Sequence, residues 1–217
     1  DRQSAIVKQL CPTAVPYVLS GPSFAADLAS GRPTAVTLAG DDDAATEAIA
    51  AALAGPSFRL YAADDRTGVE IAGAIKNVYA LACGAIEGAG LGASARAALI
   101  ARGYAEMARM VTAMGGSAST LTGLAGMGDL TLTCTSSQSR NYQFGIALGA
   151  GRSTQDILAS GAKLAEGVAT APVAAALAKT LGVDAPLIDA VDAVVAGTSN
   201  IATIVSGLMS RPLKRED

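Results

Sequence analysis

The sequence predicts a mixed fold: a short α/β segment over residues 1–62, then a mostly α-helical domain over residues 63–217. Three observations carry that reading. β-type runs alternate with a helical run up to about residue 62 and then vanish. From about Asp64, apolar residues recur at three- and four-residue intervals along most of the chain. Alanine makes up roughly a fifth of the sequence, a composition that suits helices packed closely on one another.

In chain order, Tyr17–Ser20, Ala35–Ala39 and Phe58–Tyr61 read as strands bounded by Gly-Pro, Gly-Arg-Pro and Gly-Pro-Ser turn signals. Before the last strand, Asp41-Asp42-Asp43 opens a helix whose Ala45, Ile49, Ala52 and Leu53 share a face. Acidic residues suit the positive end of that helix. Three strands form a small sheet whose outer edges call for further partners. With no initiator Met ahead of ordered-looking sequence, this predicts a fragment of a longer protein.

Val69, Ala72, Ile75, Val78, Tyr79, Ala82 and Ile86 then predict a helix of about 20 residues. Ala97, Ile100, Ala101, Tyr104, Ala108, Val111 and Met114 predict a second, stopped by Gly115-Gly116. Between them Gly88-Ala89-Gly90-Leu91-Gly92-Ala93 satisfies G-x-G-x-x-[GA]. A dinucleotide-binding turn needs a strand before it, so after a helix this reads as a helix–helix connection. A Gly-, Ser- and Thr-rich stretch, 117–139, interrupts the helices. They resume over Asn141–Leu148, Ala165–Leu181, Leu187–Ala196 and Ile201–Met209, with a break or a first-turn proline expected at Pro172.

There is no histidine, which removes Ser–His–Asp and Cys–His relays, H-E-x-x-H zinc sites and histidine pH switches. Proton transfer falls to Lys, Asp, Glu, Tyr or Cys. No metal-ligand spacing is present, and Asp41-Asp42-Asp43 reads as a solvated helix start. A net charge of −3 without a basic run, and only 4% aromatics, argue against a nucleic-acid partner. Cys11, Cys83 and Cys134 are odd in number and far apart, and read as reduced thiols packed in a core. The uncharged run between Arg109 and Asp129 is interrupted by Gly and Ser, so membrane insertion is not expected. No apolar segment follows Asp1-Arg2-Gln3, and a cytoplasmic setting is expected.

Two groups could carry chemistry. Lys76 is the only charged residue between Glu70 and Glu87, on a helix otherwise nearly all apolar, where an ammonium is costly to desolvate unless an anion faces it. The bland alternative is a lysine that snorkels from the helix edge. Asn77 beside it supplies a second oriented polar group. The second group is Gly126-Met127-Gly128-Asp129 followed by Ser139-Arg140-Asn141. There glycines permit close backbone approach to a ligand, and hydroxyls with an arginine before a helix suit an anion. A Ser/Thr-rich surface loop with a capped helix start is the plainer alternative.

These blocks have a familiar order. Ser20-Gly21-Pro22-Ser23-Phe24-Ala25, Gly73-Ala74-Ile75-Lys76-Asn77-Val78, Arg96 through Gly103, Gly126 through Leu130, Thr133-Cys134-Thr135 and Ser139-Arg140-Asn141 resemble bacterial NAD(P)H-dependent glycerol-3-phosphate dehydrogenases. Glu166-Gly167 resembles a later V-x-E-G segment of that family, with Leu164 in place of valine. The resemblance runs along essentially the whole chain with its spacing kept.

The resemblance implies reduction of dihydroxyacetone phosphate to sn-glycerol 3-phosphate. It implies Lys76 as acid/base, with Asp129 beside it as a catalytic residue that contacts substrate. Gly21, Ser23, Ser139, Arg140 and Asn141 would contact substrate, with the last three forming the phosphate cluster. Ala25, Arg140, Leu164 and Glu166 would contact NAD(P)H. It also implies that residues 1–62 close a Rossmann-type nucleotide domain, and that 63–217 form a substrate domain of the 6-phosphogluconate dehydrogenase C-terminal-like type. The first nucleotide-binding half, with its glycine turn and a further lysine, would lie outside this chain, so the isolated chain is expected to show negligible turnover. Two alternatives stand beside this reading: a related two-domain dehydrogenase acting on another phospho or hydroxy acid, and a non-catalytic helical module that binds a partner or forms a homodimer.

Overall fold

A computed structural model describes residues 2–212 and Arg215; the outermost residues of both predicted segments lie outside the described residues. Helix α1 (Gln3–Leu10) precedes β1 (Val18–Ser20), α2 (Ala25–Ala29), β2 (Thr34–Ala39), α3 (Asp43–Leu53) and β3 (Phe58–Ala63). The sheet order is β1-β2-β3: β1 runs antiparallel to β2 from Val18↔Ala39 to Ser20↔Thr37, and β3 runs parallel to β2 from Thr34↔Phe58 to Ala39↔Ala63. Asp42 caps α3 by accepting from the Ala45 amide at 2.9 Å. The buried face of α3 is Thr46 and Ala50, whereas Ala52 and Leu53 are exposed, so the predicted face is displaced. Gly40 sets this orientation, because its missing Cβ leaves space for the Thr46 hydroxyl and the Tyr17 ring.

The helical part is built around α4 (Arg66–Gly88), with α5 (Ala93–Ala113), α6 (Asp129–Thr135), α7 (Arg140–Gly149), α9 (Glu166–Leu181) and α10 (Pro186–Val195) packed on it. Helices α8 (Thr154–Ala159) and α11 (Ile201–Met209) lie outside this ring. The connection over Gly88–Ala93 joins α4 to α5, with Gly90 and Gly92 at φ +68° and +89°. By composition α4 is apolar and long enough to cross a membrane, but 67% of its apolar window is buried inside the fold, as in a core helix.

Four glycines let α4 and α7 meet backbone to backbone. A Cβ on Gly84 would stand 2.0 Å from the Tyr142 carbonyl oxygen, and one on Gly88 2.1 Å from that of Ile146. From the other side, Gly145 and Gly149 would meet the carbonyl oxygens of Leu81 and Ala85 at 2.1 and 2.2 Å. Tyr79, Leu81, Met107, Met110, Leu121 and Leu130 are almost completely buried and fill the core around this crossing.

Carboxylates tie distant segments to helix starts. Asp65 caps α4 through Gly68 N (2.8 Å) and also accepts from Ser117 N (2.8 Å) and the Thr120 hydroxyl (2.6 Å). Glu70 accepts from Ser4 N and Oγ, which docks α1. Glu106, 2% exposed on α5, accepts from Leu187 N at 2.7 Å and Ile188 N at 3.3 Å, and so caps α10 from outside. Burial raises its carboxyl pKa from 4.5 to about 7, against the lowering effect of those amides and Arg109.

Several elements depart from the sequence reading. The stretch 117–139 is not a plain interruption. It holds a 3₁₀ turn (Ala118–Thr122), a π-type turn (Leu124–Gly128) and α6, fixed by burial of Leu121, Leu130 and Cys134 despite weak local helix propensity. Helices α1, α2 and α8 span only 8, 5 and 6 residues, too few for a three-and-four repeat to recur. Pro172 neither breaks α9 nor starts it. Packing against α4 and α10 holds the helix through a residue that already has helical φ, although it lacks a donor and its ring crowds the carbonyl one turn back. Cys83 and Cys134 are buried as predicted, but Cys11 is exposed.

Gly84→Ala forces the α4–α7 crossing apart, and urea unfolding should show a loss of about 3 kcal/mol. Gly207→Ala, in open space on α11 with ordinary φ, should be neutral or stabilise by about 1 kcal/mol. The Glu106 pKa is raised on folding, so its contribution to stability is full below 4.5 and is lost as pH rises through about 7. Relative to Glu106→Gln, which does not titrate, the native chain should lose about 3 kcal/mol across that interval. A flat difference curve contradicts this.

Candidate functional site

The π-type turn runs directly into α6 through Gly128 in helical conformation, and so places Asp129 within one continuous helical segment. Its carboxylate is 3% exposed and is held from three elements. Lys76 Nζ, from α4, forms an ion pair with Oδ2. The Ser20 hydroxyl, at the end of β1, donates to the same oxygen at 3.4 Å. The Thr133 hydroxyl, one turn along α6, donates to Oδ1 at 3.2 Å. Lys76 therefore does have an anion opposite it, and at 19% exposure it also keeps a path to solvent.

Beside this pair, the starts of α7 and α9 are bracketed against the middle of α4. Asn141 Nδ2 donates to Asn77 Oδ1 at 2.9 Å, and Asn141 Oδ1 accepts from Gly167 N at 2.8 Å. A Cβ on Gly167 would lie 2.5 Å from the Asn77 carbonyl oxygen, so α9 can enter this junction only with glycine there. Ser139 caps α7 by accepting from Tyr142 N at 3.2 Å. Arg140, half exposed in the first turn of α7, ion-pairs with Glu166 of α9 at 3.7 Å.

The predicted residues fall into three groups. Lys76 and Asp129 touch. Ser139, Arg140, Asn141 and Glu166 form a second cluster, joined to the first because Asn77 follows Lys76 on α4. Gly21 and Ser23 lie on the turn after Ser20, with Ser23 Oγ donating to the Gly21 carbonyl and Pro22 beside Gly128. Gly21, at φ +152°, tolerates no side chain, since a Cβ would stand 2.9 Å from Val36 Cα. Ala25 and Leu164 are exposed and stand outside these hydrogen bonds.

Two expectations change. Gly126 approaches the backbone of Leu121, where a Cβ would be 2.1 Å from the carbonyl oxygen, so its missing side chain serves packing rather than a ligand. Asn141 is 8% exposed and its carbonyl is committed to Gly167, leaving one amide hydrogen for a ligand. The sequence reading assigned no role to Ser20 or Thr133. The four-residue spacing from Asp129 to Thr133 on one helix was the available signal for the latter. Cys134 lies against Cys83, and that contact together with burial raises its thiol pKa, which suits a core residue and not a nucleophile. Among the described residues, no three His, Cys, Asp or Glu side chains gather to hold a metal ion.

With this geometry in place, comparison with known proteins decides the family. The family described as NAD-dependent glycerol-3-phosphate dehydrogenase C-terminus matches residues 65–206. This chain belongs to that family. The glycerol-3-phosphate dehydrogenase [NAD(P)+] of Methylobacterium radiotolerans is 54% identical over 98% of this chain and 64% of its own length. The protein of the same description from Caulobacter vibrioides is 50% identical over 97% and 64%. The crystal structure of glycerol-3-phosphate dehydrogenase from Coxiella burnetii superposes with a TM-score of 0.90 at 40% identity, covering 95% of this chain and 64% of that one. The chain thus spans 64% of the length of these glycerol-3-phosphate dehydrogenases.

Proposed function

We propose that this chain supplies the substrate-binding and acid/base part of a glycerol-3-phosphate dehydrogenase that reduces dihydroxyacetone phosphate to sn-glycerol 3-phosphate for glycerophospholipid synthesis. The observation that carries the reading is the Lys76–Asp129 ion pair beside the bracketed starts of α7 and α9. In this reading residues 1–62 close a nucleotide domain and 63–217 form the substrate domain. The long α4 ringed by shorter helices supports the 6-phosphogluconate dehydrogenase C-terminal-like type. A cytoplasmic homodimer is the setting this implies.

Carbonyl reduction needs a proton for the C2 oxygen, and Lys76 Nζ provides it while Asp129 holds the ammonium in place. The neutral amine recovers its proton from solvent along its exposed edge. Arg140, half exposed at the start of α7, takes the substrate phosphate together with the helix N-terminus. Ser139 fixes that helix start, and Asn141 adds its remaining amide hydrogen. Gly21 and Ser23 bound the substrate on the β1 side.

The donor set also suits the reactive end of NAD(P)H. Arg140 and Glu166 present an exposed donor and acceptor side by side, with Leu164 and Ala25 as exposed apolar surface. When bound, NAD(P)H supplies the hydride for C2.

The test is a chimera in which this chain replaces the matching residues of the Methylobacterium relative. It should oxidise NAD(P)H in the presence of dihydroxyacetone phosphate. Lys76→Ala should lower kcat about 10²- to 10⁴-fold. Arg140→Ala should act mainly on KM for the phosphorylated substrate. Full activity in Lys76→Ala overturns the assignment.

A further inference from the structure

We propose that Ser20 is a positioning residue, the stand-by donor that takes over the Asp129 carboxylate as Lys76 gives up its proton. The proposal rests on the reading of Lys76 as proton donor. While Lys76 is an ammonium it holds Asp129 Oδ2 by charge, and the Ser20 hydroxyl waits 3.4 Å from that same oxygen. An O–H donor bound to a carboxylate normally stands about 2.6 Å away, so the waiting hydroxyl is about 0.8 Å short of a full bond.

Proton transfer leaves a neutral amine that holds a carboxylate far less strongly. Asp129 is 3% exposed, so water cannot make up the deficit, and Thr133 serves the other oxygen. A buried carboxylate that loses a partner is costly. Ser20 can meet that cost by turning its side chain alone. Its backbone is fixed by pairing with Thr37 and by Gly21 seated against Val36. The path is open because Gly73, one turn before Lys76, presents no side chain; a Cβ there would stand 3.0 Å from Ser20 Oγ. Among the described residues, this is also the one hydrogen bond that joins the sheet to the ion pair.

A double-mutant cycle on the 217-residue chain, read by urea unfolding, tests this without turnover. Ser20→Ala should change the folding equilibrium constant by less than about threefold when Lys76 is present, and by at least about tenfold in a Lys76→Met background. Ser20→Thr, which keeps the hydroxyl, should recover most of that loss. Equal effects in both backgrounds overturn the proposal. Should Lys76→Met not fold, Lys76→Gln carries the same cycle with a smaller coupling. In the chimera, Ser20→Ala should lower kcat several-fold with KM for dihydroxyacetone phosphate unchanged; an unchanged kcat overturns the role in turnover. Coupling without turnover by the unmutated chimera removes the functional reading and leaves the hold of Ser20 on Asp129 standing. Turnover without coupling does the reverse.

Discussion

The backbone contact between α4 and α7 fixes where the candidate site can be. Gly84 and Gly88 on one helix, with Gly145 and Gly149 on the other, allow an approach that any side chain at those positions would block. Because each glycine faces a particular carbonyl, the crossing also has one register. That register brings Asn141, in the first turn of α7, against Asn77, and it sets the start of α7 beside the lysine that precedes Asn77. Gly167 extends the rule to α9, whose first turn closes on the Asn77 carbonyl. The surroundings of Lys76 thus depend on an absence of side chains elsewhere along α4 and on α7 and α9.

Electrostatics works in the same direction. Asp65, Glu70, Glu106 and Asp129 each accept from groups far away in sequence, and three of the four receive backbone amides at helix starts or loops. Asp129 differs because its partners are all side chains, and one is the ammonium of Lys76. Side-chain partners can move with a proton, whereas backbone amides cannot. Glu106 is structural by this criterion, and Asp129 is the carboxylate suited to reaction.

What the sequence disclosed follows physical lines. Helix α4 was legible because burial at three- and four-residue intervals runs along nearly its whole length. Helix α5 was legible as an element, but its buried face is Gly103, Glu106, Met107, Met110 and Val111, turned from the predicted one, and Ala97 and Ala101 are exposed. Helix α6 was not, because Thr131, Thr133 and Thr135 weaken local propensity and tertiary burial of Leu130 and Cys134 overrides it. Helix α1 escaped notice because its anchor is Glu70, 66 residues away from Ser4. Lys76 stood out as a lone charge on an apolar helix. Ser20 could not, since a serine after a short strand is ordinary until the fold brings it 109 residues along the chain to Asp129. Asn141 had a legible position in a helix start, but its buried bond to Gly167 needed the fold.

In the proposed reaction Lys76 faces the reacting carbon while the start of α7 holds the phosphate. A crystal structure of the chimera with sn-glycerol 3-phosphate and oxidised dinucleotide addresses both halves at once. The C2 hydroxyl should lie about 3 Å from Lys76 Nζ and the phosphate against Arg140 and the first turn of α7. A phosphate seated elsewhere, or a C2 hydroxyl turned away from Lys76, contradicts it.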